Sequence, residues 1–551
     1  MMLFSRALPP LMVLALGATA CSAGDPDPAL ATDVADGGAD DSGDDFRTTA
    51  PTGELDAVTW YTFYRPPLVL DPVAIGDYPE LMITANVCEG LVRMEPDFSI
   101  VPNLAAEVSQ PDDLTYVYKL RPGITFHDGS PLTAEDVVYS VERQLDGTVF
   151  SAVDNVFRYL DAVSATADDE ITFTLTSPDA LFAKGLATAA GVVVNKAAAT
   201  ADGDAFGTPA GGLVCTGPYM LDSYDPTSEV TLTAYEDYWD TTRTPRIARA
   251  TFVWPQDPAV IADGMLTGQI DGGWDIPPAA LDRLASTDAG ELFIGPASQS
   301  LQNFSLVVNR RPDSPLADPQ VRKALSLAVD RDGMASVLYG GSAVPLYAVA
   351  GPSLFGDDPK VGAAYDTLSR PRDIDAAKAL VEEAGSPDGT IVLSAPSTDP
   401  MGIQFAESVQ QAAGEIGLNA ELRTLPPEQY AALFFDPAAR EGIDAWFSIG
   451  FTGVVDPLSM LFEVAYPGGV LNYTGYDNPA ITEKLERALG ETDDAARSEL
   501  VAEILLELDD DLPTIPLITP QIRLFQADGL TGAPKTFTYT QTPWLNLMGA
   551  S

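Results

Sequence analysis

The chain has 551 residues, and its 80 aspartate and glutamate residues against 30 lysine and arginine residues give a formal net charge of −50. A charge of this sign repels phosphate. Electrostatic binding to nucleic acid or to an anionic lipid surface is therefore excluded. One histidine, His127, and three cysteines cannot supply the zinc motifs that need paired histidines or four cysteines. We therefore expect no bound metal and no cofactor, and the length predicts several domains.

The first 20 residues are typical of an export signal. Arg6 precedes an apolar run from Leu11 to Ala20, which is too short to span a bilayer. Small residues lead directly to Cys21, and this ending resembles the lipobox of bacterial lipoproteins, in which the cysteine is lipidated and becomes the first mature residue. We predict a signal peptide over residues 1–20 and a lipid on Cys21, with an ordinary signal peptide as the alternative.

Residues 21–53 predict a flexible acidic linker, because no basic residue precedes Arg47 and aspartate recurs throughout. Such a segment buries too little apolar surface to fold, and its like charges extend it. Beyond it, no apolar stretch approaches the ~20 residues of a transmembrane helix. We expect the mature chain to lie outside the cytoplasm, either periplasmic or held at the outer face of the cell membrane by its lipid alone.

The two remaining cysteines, Cys88 and Cys215, predict a disulfide. An oxidising compartment favours pairing when the number of cysteines is even. On the chain-entropy model, a bond that closes so long a loop stabilises the fold by up to roughly 5 kcal/mol. The alternative is a pair of buried free thiols.

From Glu54 onward the sequence predicts interleaved strands and helices. Alternation of β-branched and aromatic residues predicts strands over Leu114–Leu120 and Ile171–Leu175. Asp318-Pro319 predicts a helix start, because it offers an N-cap followed by a proline in the first turn. Apolar stripes at helical spacing predict helices in three further segments: Ile374–Ala384, Phe405–Ile416 and Leu500–Leu508. This order of elements is typical of the α/β class.

Residues 120–138 carry the most specific motif, with the sequence LRPGITFHDGSPLTAEDVV. The segment closely resembles the hallmark of the family 5 extracellular solute-binding proteins of ABC importers, which include oligopeptide, dipeptide and nickel binders. Further motifs follow in that family's order: Leu70–Pro72, Cys88–Leu91, Pro102–Ala105, Thr216–Tyr219, Asp318–Arg331 and Leu512–Leu517. The resemblance covers the chain from about Glu54 to its C-terminus. His127 lies in a turn of the hallmark segment, and we interpret it as structural.

The resemblance implies a type II-like periplasmic binding protein fold, with two lobes built from three domains and a hinged cleft between the lobes. Domain I is expected at residues 54–91, 200–290 and 511–551, domain II at 92–199, and domain III at 291–510. The ligand is expected between domains I and III, and closure around it presents a surface to the ABC permease subunits. The implied protein is a monomer, has no catalytic residue and is not an enzyme.

Candidate ligand-binding residues are aromatic and amide side chains at the expected lobe edges. Each aromatic residue has core packing as its alternative role. The candidates from domain I are Trp60, Tyr61, Tyr64 and Trp274. Those from domain III are Gln302, Asn303, Phe304, Phe451, Thr452 and Gly453.

One departure from the family pattern concerns the substrate. In the peptide-binding members, an aspartate that follows Gly-Trp-Thr-Gly holds the α-ammonium group of the peptide. The matching stretch here begins at Gly450, with Val454 in the place of that aspartate and Asp456 as the nearest acid. A buried ammonium without a counter-charge costs several kcal/mol. We expect a peptide or peptide-like solute, with blocked peptides, opine-like compounds and oligosaccharides as alternatives.

Two other functions remain open from the sequence. The first is a secreted hydrolase with a pair of carboxylates, although in so acidic a chain a close pair is more often a solvated surface than a catalytic dyad. The second is a sensor lipoprotein that uses the same cleft without transport. The residues alone do not separate a sensor from an importer subunit.

Overall fold

A computed structural model describes residues 46–147, 151 and 153–551. The expected signal peptide, Cys21 and the linker as far as residue 45 lie outside the described residues. Within the described ranges the strands form three larger sheets and two short two-stranded ladders, Val92–Met94 with Ile100–Pro102 and Leu530–Thr531 with Gly549–Ala550. Helices interleave with these strands, which confirms the predicted α/β class.

The first sheet has seven strands and gathers segments that are far apart in sequence. Strand Val58–Tyr61 lies in its middle with a parallel neighbour on each side, and the remaining pairings are antiparallel. In order across the sheet, the strands are Gly290–Ile294, Arg523–Ala527, Gly272–Gly273, Val58–Tyr61, Arg249–Val253, Glu229–Ala234 and Tyr219–Asp225. Strands from near the start, the middle and the end of the chain therefore share one sheet.

The second sheet has four antiparallel strands. In order they are Ala105–Asp112, Thr115–Leu120, Glu170–Leu175 and Leu160–Ala167. Two of them confirm predicted strands, and both bury alternate side chains, as the sequence alternation requires. Helix Ala134–Leu145 packs on this sheet and begins with a capping box between Thr133 and Asp136.

The third sheet has six strands: Ala343–Pro345, Thr514–Pro520, Gln302–Val308, Ala445–Phe451, Thr390–Pro396 and Asn419–Leu425. The chain enters it at Gln302–Val308 and leaves it after Thr514–Pro520, and every residue of these two antiparallel crossing strands is buried. The expected boundary of domain I at residue 511 precedes a strand that still pairs in the six-stranded sheet, so the return to the seven-stranded sheet comes after Pro520.

Six of the thirteen helices of seven or more residues in the described part begin where an aspartate or asparagine directly precedes a proline. The predicted start at Asp318-Pro319 is confirmed, because the Asp318 carboxylate accepts a hydrogen bond from the Gln320 N–H (2.8 Å). The predicted helix over 405–416 starts earlier, at its own Asp-Pro pair. Helices of seven or more residues are Tyr78–Thr84, Ala134–Leu145, Lys196–Asp202, Pro258–Leu266, Pro278–Ala285, Pro319–Ala328, Pro359–Leu368, Ile374–Glu383, Pro400–Glu415, Pro427–Phe435, Pro457–Ala465, Pro479–Gly490 and Asp494–Asp511.

The predicted disulfide between Cys88 and Cys215 is present and joins the segment after helix Tyr78–Thr84 to the loop before the edge strand of the seven-stranded sheet. His127 lies beside it. Its Nδ1 accepts a hydrogen bond from the Cys215 N–H (3.4 Å), and its Nε2 donates to the Gly217 carbonyl (3.0 Å). Burial lowers the pKa of His127 to about 4, so the imidazole is neutral near pH 7. These contacts give the histidine a structural role.

Residues 46–53, placed in the linker by their composition, lie on the folded body. Thr48 is buried, and its hydroxyl accepts a hydrogen bond from the Gly532 N–H (2.7 Å). Gly53 exchanges backbone hydrogen bonds with Ala550 near the C-terminus. A protein prepared for binding studies should therefore keep this segment. None of the helices in the described part has the length and apolar character needed to cross a membrane.

Candidate ligand-binding cleft

The seven-stranded and six-stranded sheets meet where the chain crosses between them, and we call this contact region the cleft. Tyr78 starts the helix that packs on the seven-stranded sheet, and Phe451 ends a strand of the six-stranded sheet. Their ring centroids are 4.6 Å apart, and the ring centroids of Phe451 and Phe537 are 5.3 Å apart. Aromatic rings from both sides are therefore in direct contact, and the cleft is closed at this point.

Three candidates from the seven-stranded sheet lie behind the cleft surface. Trp60, Tyr61 and Trp274 are at most 2% exposed. The Trp60 ring lies 4.8 Å from Trp274 and 5.1 Å from Trp544, measured between ring centroids. A Cβ atom at Gly272 would come within 2.5 Å of the Trp60 ring, so this glycine, two residues before Trp274, permits the packing. The tryptophans form the wall that supports the cleft.

Asp275 follows Trp274, and its carboxylate accepts three side-chain hydrogen bonds. It is fully buried, and its backbone φ of +52° lies in the left-handed region. One carboxylate oxygen accepts hydrogen bonds from Gln302 Nε2 (3.0 Å) and Arg523 Nη2 (3.3 Å), and the other accepts from the Tyr539 hydroxyl. Since Gln302 begins a crossing strand, this network connects the wall of the cleft to the point where the chain changes sheets.

The next two candidates on that strand pack into the six-stranded sheet. Asn303 donates a hydrogen bond through Nδ2 to the Val349 carbonyl (3.1 Å). The Phe304 ring lies 4.4 Å from that of Phe405, inside the sheet's own apolar core. Among the three amide and aromatic candidates at this crossing, the structure therefore places only Gln302 in contact with the Asp275 network.

The stretch after Phe451 forms a tight buried turn. The Thr452 hydroxyl hydrogen-bonds with Ser459 (2.8 Å) and accepts from the Val454 N–H (3.1 Å). A Cβ atom at Gly453 would lie 2.9 Å from the nearest side-chain atom, so the facing elements approach the backbone closely here. Val454 is 7% exposed and belongs to an apolar core. The position that lacks the family's aspartate is filled by packed apolar side chains.

Tyr64 lies at the rim of the cleft and is 40% exposed. Its hydroxyl donates to Asp77, and Arg65 binds the same carboxylate through Nη2 (2.7 Å). Arg65 Nη1 also binds Glu80 (2.7 Å). Two carboxylates around one guanidinium leave this rim with a net negative charge.

Tyr78, which residue patterns did not single out, holds a buried hydroxyl in the cleft. The side chain is 2% exposed, and its hydroxyl has no hydrogen-bond partner within the described residues. Phe451 and Phe537 pack against the ring. The pKa of Tyr78 is raised well above its ordinary value, first by burial and then by the negative charges of Asp275 and Asp77.

A second contact joins the part of the chain around the four-stranded sheet to helix Pro457–Ala465. Lys184 Nζ lies 2.6 Å from Asp456 Oδ2, and the Asp456 carboxylate also caps that helix. The Arg158 guanidinium lies 4.0 Å from the centroid of the Phe462 ring, within the range of a cation–π interaction. We call these four residues, Lys184, Asp456, Arg158 and Phe462, the latch.

Glu463 lies beside the latch on the same helix. Burial raises its pKa to about 7, and the positive charge of Arg158 opposes that rise. Its charge therefore changes near neutral pH. No group of histidine, cysteine and carboxylate side chains suited to a metal ion occurs in the ranges that the structure describes.

The network residues Asp275, Arg523 and Tyr539, like Tyr78, were not among the sequence candidates. Tyr539 and Asp275 are 264 residues apart in the chain, so no local pattern links them. The available signals were weaker: Asp275 directly follows a candidate tryptophan, and Tyr78 follows an aspartate that caps the first helix.

Two sheets joined by two crossing strands, with a buried contact region between them, form the architecture expected of an extracellular solute-binding protein. The model of the bacterial extracellular solute-binding proteins, family 5, middle region, matches residues 99–472. The chain therefore belongs to this family, and the resemblance seen in the hallmark segment is confirmed. Because the family consists of binding proteins, the chain is a binding protein and not an enzyme.

The similarity to relatives and to solved structures extends over nearly the whole folded part of the chain. The glutathione-binding protein GsiB of Pectobacterium atrosepticum is 28% identical, with 84% of this chain and 88% of that protein covered. The structure of the binding protein AgaA of A. tumefaciens R10 with agropinic acid matches with a TM-score of 0.77 at 21% identity, covering 90% of this chain and 98% of that one. DppA of Helicobacter pylori with the peptide STSA gives the same TM-score, identity and coverage. The structures confirm the predicted fold.

Proposed function

We propose that this protein captures a peptide or peptide-like solute in the cleft outside the cytoplasm and delivers it to an ABC importer. The closed contact between Tyr78 and Phe451 carries the proposal, because it brings both sheets to a single buried surface. A solute that touches both sides binds the closed state better than the open one and shifts the population toward closure. A permease that recognises the closed surface then distinguishes loaded from empty protein.

The cleft residues support a ligand with both apolar and polar parts. We infer that Tyr64, Gln302, Phe451 and Gly453 border the bound solute. Aromatic rings would cover its apolar parts, and amide and backbone groups would hold its polar ends. The other sequence candidates then act from behind this surface by fixing its shape.

The peptide-like class is supported by GsiB, named for glutathione, and by DppA, solved with a peptide. A second candidate class is an opine-like or blocked solute. The observation in its favour is Val454, which is buried where an aspartate would hold a free amino group. AgaA, solved with agropinic acid, adds to that support.

Membrane attachment and domain organisation complete the proposal. A lipid on Cys21 and a linker would tether a monomeric folded body at the outer face of the membrane. Domain I would contain the seven-stranded sheet, domain II the four-stranded sheet and domain III the six-stranded sheet. Intact mass measurement of membrane-extracted protein tests the tether: a diacylglycerol mass on a chain that starts at Cys21 is expected, and an unmodified mature terminus would refute it.

Thermal unfolding of the purified protein against a solute library tests the function. The library should hold glutathione, the peptide STSA, N-acetylated peptides, opine-like compounds and oligosaccharides. A solute at a hundred times its dissociation constant stabilises the folded state by roughly 2.7 kcal/mol, a readily measured shift. We expect shifts with peptides or peptide-like solutes. Shifts with oligosaccharides alone would reject the proposed substrate class, and hydrolysis of any peptide would reject the binding-protein role.

A further inference from the structure

The chain passes between the two larger sheets twice. The first connection, residues 295–301, leads from the seven-stranded sheet to the six-stranded sheet, and the second, residues 521–522, leads back. Rotation of one sheet against the other must be absorbed by the backbone of these two connections. We call them the hinge segments.

The hinge segments are hydrogen-bonded to each other. The Gly295 N–H donates to the Ile522 carbonyl (2.8 Å), and Gln521 Nε2 donates to the Gly295 carbonyl (2.8 Å). Because both partners of these bonds lie within the hinge, the two segments can bend as a pair without separating. A contact that responds to the rotation must instead join a residue on one side of the hinge to a residue on the other.

The carboxylate of Asp275 makes such a contact. Two of its hydrogen-bond donors, Arg523 and Tyr539, lie on its own side: Arg523 begins a strand of the seven-stranded sheet, and the Tyr539 ring stacks on that of Trp274. The third donor, Gln302 Nε2 (3.0 Å), belongs to the first residue of the six-stranded sheet beyond the hinge. Gln302 is 5% exposed and Asp275 is fully buried, so the loss of this donor would leave a buried charge with one partner fewer.

Gln302 moves together with the cleft residue Phe451, because the two are directly paired in the antiparallel ladder of the six-stranded sheet. The Phe451 ring contacts Tyr78 on the other side of the cleft. The motion that brings Phe451 to Tyr78 therefore also brings Gln302 to Asp275. The reverse motion lengthens the bond, and a hydrogen bond is lost once its two heavy atoms are more than about 3.5 Å apart.

We propose that Gln302 is a positioning residue whose hydrogen bond to Asp275 locks the hinge in the closed state. When the cleft opens, the buried carboxylate keeps Arg523 and Tyr539 but loses the amide, so opening is disfavoured even in the empty protein. The bond acts at the crossing itself, in addition to the latch. This inference goes beyond the proposed function, because it concerns how readily the empty protein opens to admit a solute.

The test uses Gln302→Met, which removes the amide and keeps the length of the side chain. The matched control is Tyr539→Phe, which removes one neutral donor from the same carboxylate within one side of the hinge. Because Gln302 also borders the proposed solute site, all proteins are compared without solute. Thermal unfolding verifies that each variant is folded. Gln302→Asn, which withdraws the amide by one methylene, is a milder second variant.

We expect the ratio of open to closed protein to rise by about tenfold in Gln302→Met, as for the loss of a hydrogen bond to a charged group. Hydrogen–deuterium exchange in the turn after Phe451 detects even rare opening and should become faster by about the same factor. Gln302→Asn should change the exchange rate in the same direction, and Tyr539→Phe should leave it unchanged. The strands of the four-stranded sheet should exchange at the wild-type rate in every variant.

Exchange at the wild-type rate in the two Gln302 variants would overturn the inference, as would equal acceleration in Gln302→Met and Tyr539→Phe. Acceleration that extends to the four-stranded sheet would also overturn it, since it would report a general loss of stability. These outcomes leave the proposed function intact, because no solute is present in the experiment.

Discussion

The cleft and the latch both join segments that are far apart in the sequence, but they are chemically different. The cleft joins buried aromatic rings and a fully buried carboxylate, Asp275, whose charge is matched by Arg523. The latch joins a lysine that is 38% exposed to Asp456 and places an arginine over Phe462. Burial makes the cleft contacts strong and intolerant of change, whereas water and salt weaken the latch. We infer that the cleft sets stability and specificity, and that the latch adjusts the balance between open and closed states.

Asp275→Ala should have the largest effect, because it leaves Arg523 buried without its counter-charge. We expect a loss of about 3–5 kcal/mol in the free energy of unfolding, measured by urea titration. Asp263→Ala is the control, since it removes the acid of an exposed ion pair with Arg283, for which about 1 kcal/mol or less is expected. Equal losses in the two variants would show that the cleft network is no stronger than a surface pair.

Glu463→Gln should remove a pH dependence that arises beside the latch. Its pKa is raised to about 7 in the folded protein from an ordinary value of 4.5. The folded state therefore holds this proton more tightly, and the stability it contributes is present below pH 4.5 and is lost as the pH rises through 7. Relative to wild type, the variant should gain roughly 1–3 kcal/mol between pH 5 and pH 8.

Urea titrations of wild type, Glu463→Gln and a control at each pH measure this gain. Glu499→Gln is a suitable control, because Glu499 is 65% exposed and forms an ion pair with a lysine on the neighbouring helix. If the difference in unfolding free energy between Glu463→Gln and wild type is the same at pH 5 and pH 8, the raised pKa of Glu463 is contradicted.

Lys184→Met should weaken the latch with little loss of overall stability. Because Lys184 is partly exposed, we expect a loss of about 1 kcal/mol or less in the free energy of unfolding. The open population should grow, which small-angle X-ray scattering would detect as a larger radius of gyration without solute. Lys196→Met removes an exposed ion pair with Glu135 in the same part of the chain and should leave the radius unchanged. Identical radii of gyration in the two variants would show that the latch does not influence the balance between open and closed states.

Added salt should have the smallest effect of these changes. It should stabilise the fold while weakening the latch. The net charge of −50 makes the folded chain repel itself, and screening relieves that repulsion. The melting temperature should rise modestly between about 20 mM and about 300 mM NaCl, while the radius of gyration shifts toward the open state as the latch is screened. A melting temperature that falls steadily over this range would contradict the first expectation.

Local chemistry explains what could be predicted from the sequence. Helix Pro319–Ala328 is set by an aspartate cap and a proline in the first turn, and strand Thr115–Leu120 by alternating apolar residues. The disulfide follows from the two cysteines that remain after Cys21 in an exported chain. Each of these features depends on neighbours in sequence or on composition, so the printed residues contain the necessary information.

The cleft was harder to predict, because its contacts join residues far apart in the chain. The aromatic type of Trp60 suggested a ligand contact, yet its position in the middle strand places it among other tryptophans behind the cleft. Asp275 and Arg523 meet only when a strand from the C-terminal end joins the seven-stranded sheet. A buried hydroxyl without a partner, as at Tyr78, is a property of the folded state and leaves no trace in residue patterns.

Hydrogen–deuterium exchange of the wild type, with and without saturating glutathione or the peptide STSA, tests the central claim most directly. The account predicts added protection from both sides of the cleft, in the first turn of helix Tyr78–Thr84 and in the turn that follows Phe451. The strands of the four-stranded sheet should change little. Protection confined to that sheet, or to only one side of the cleft, would contradict a solute held between the two larger sheets.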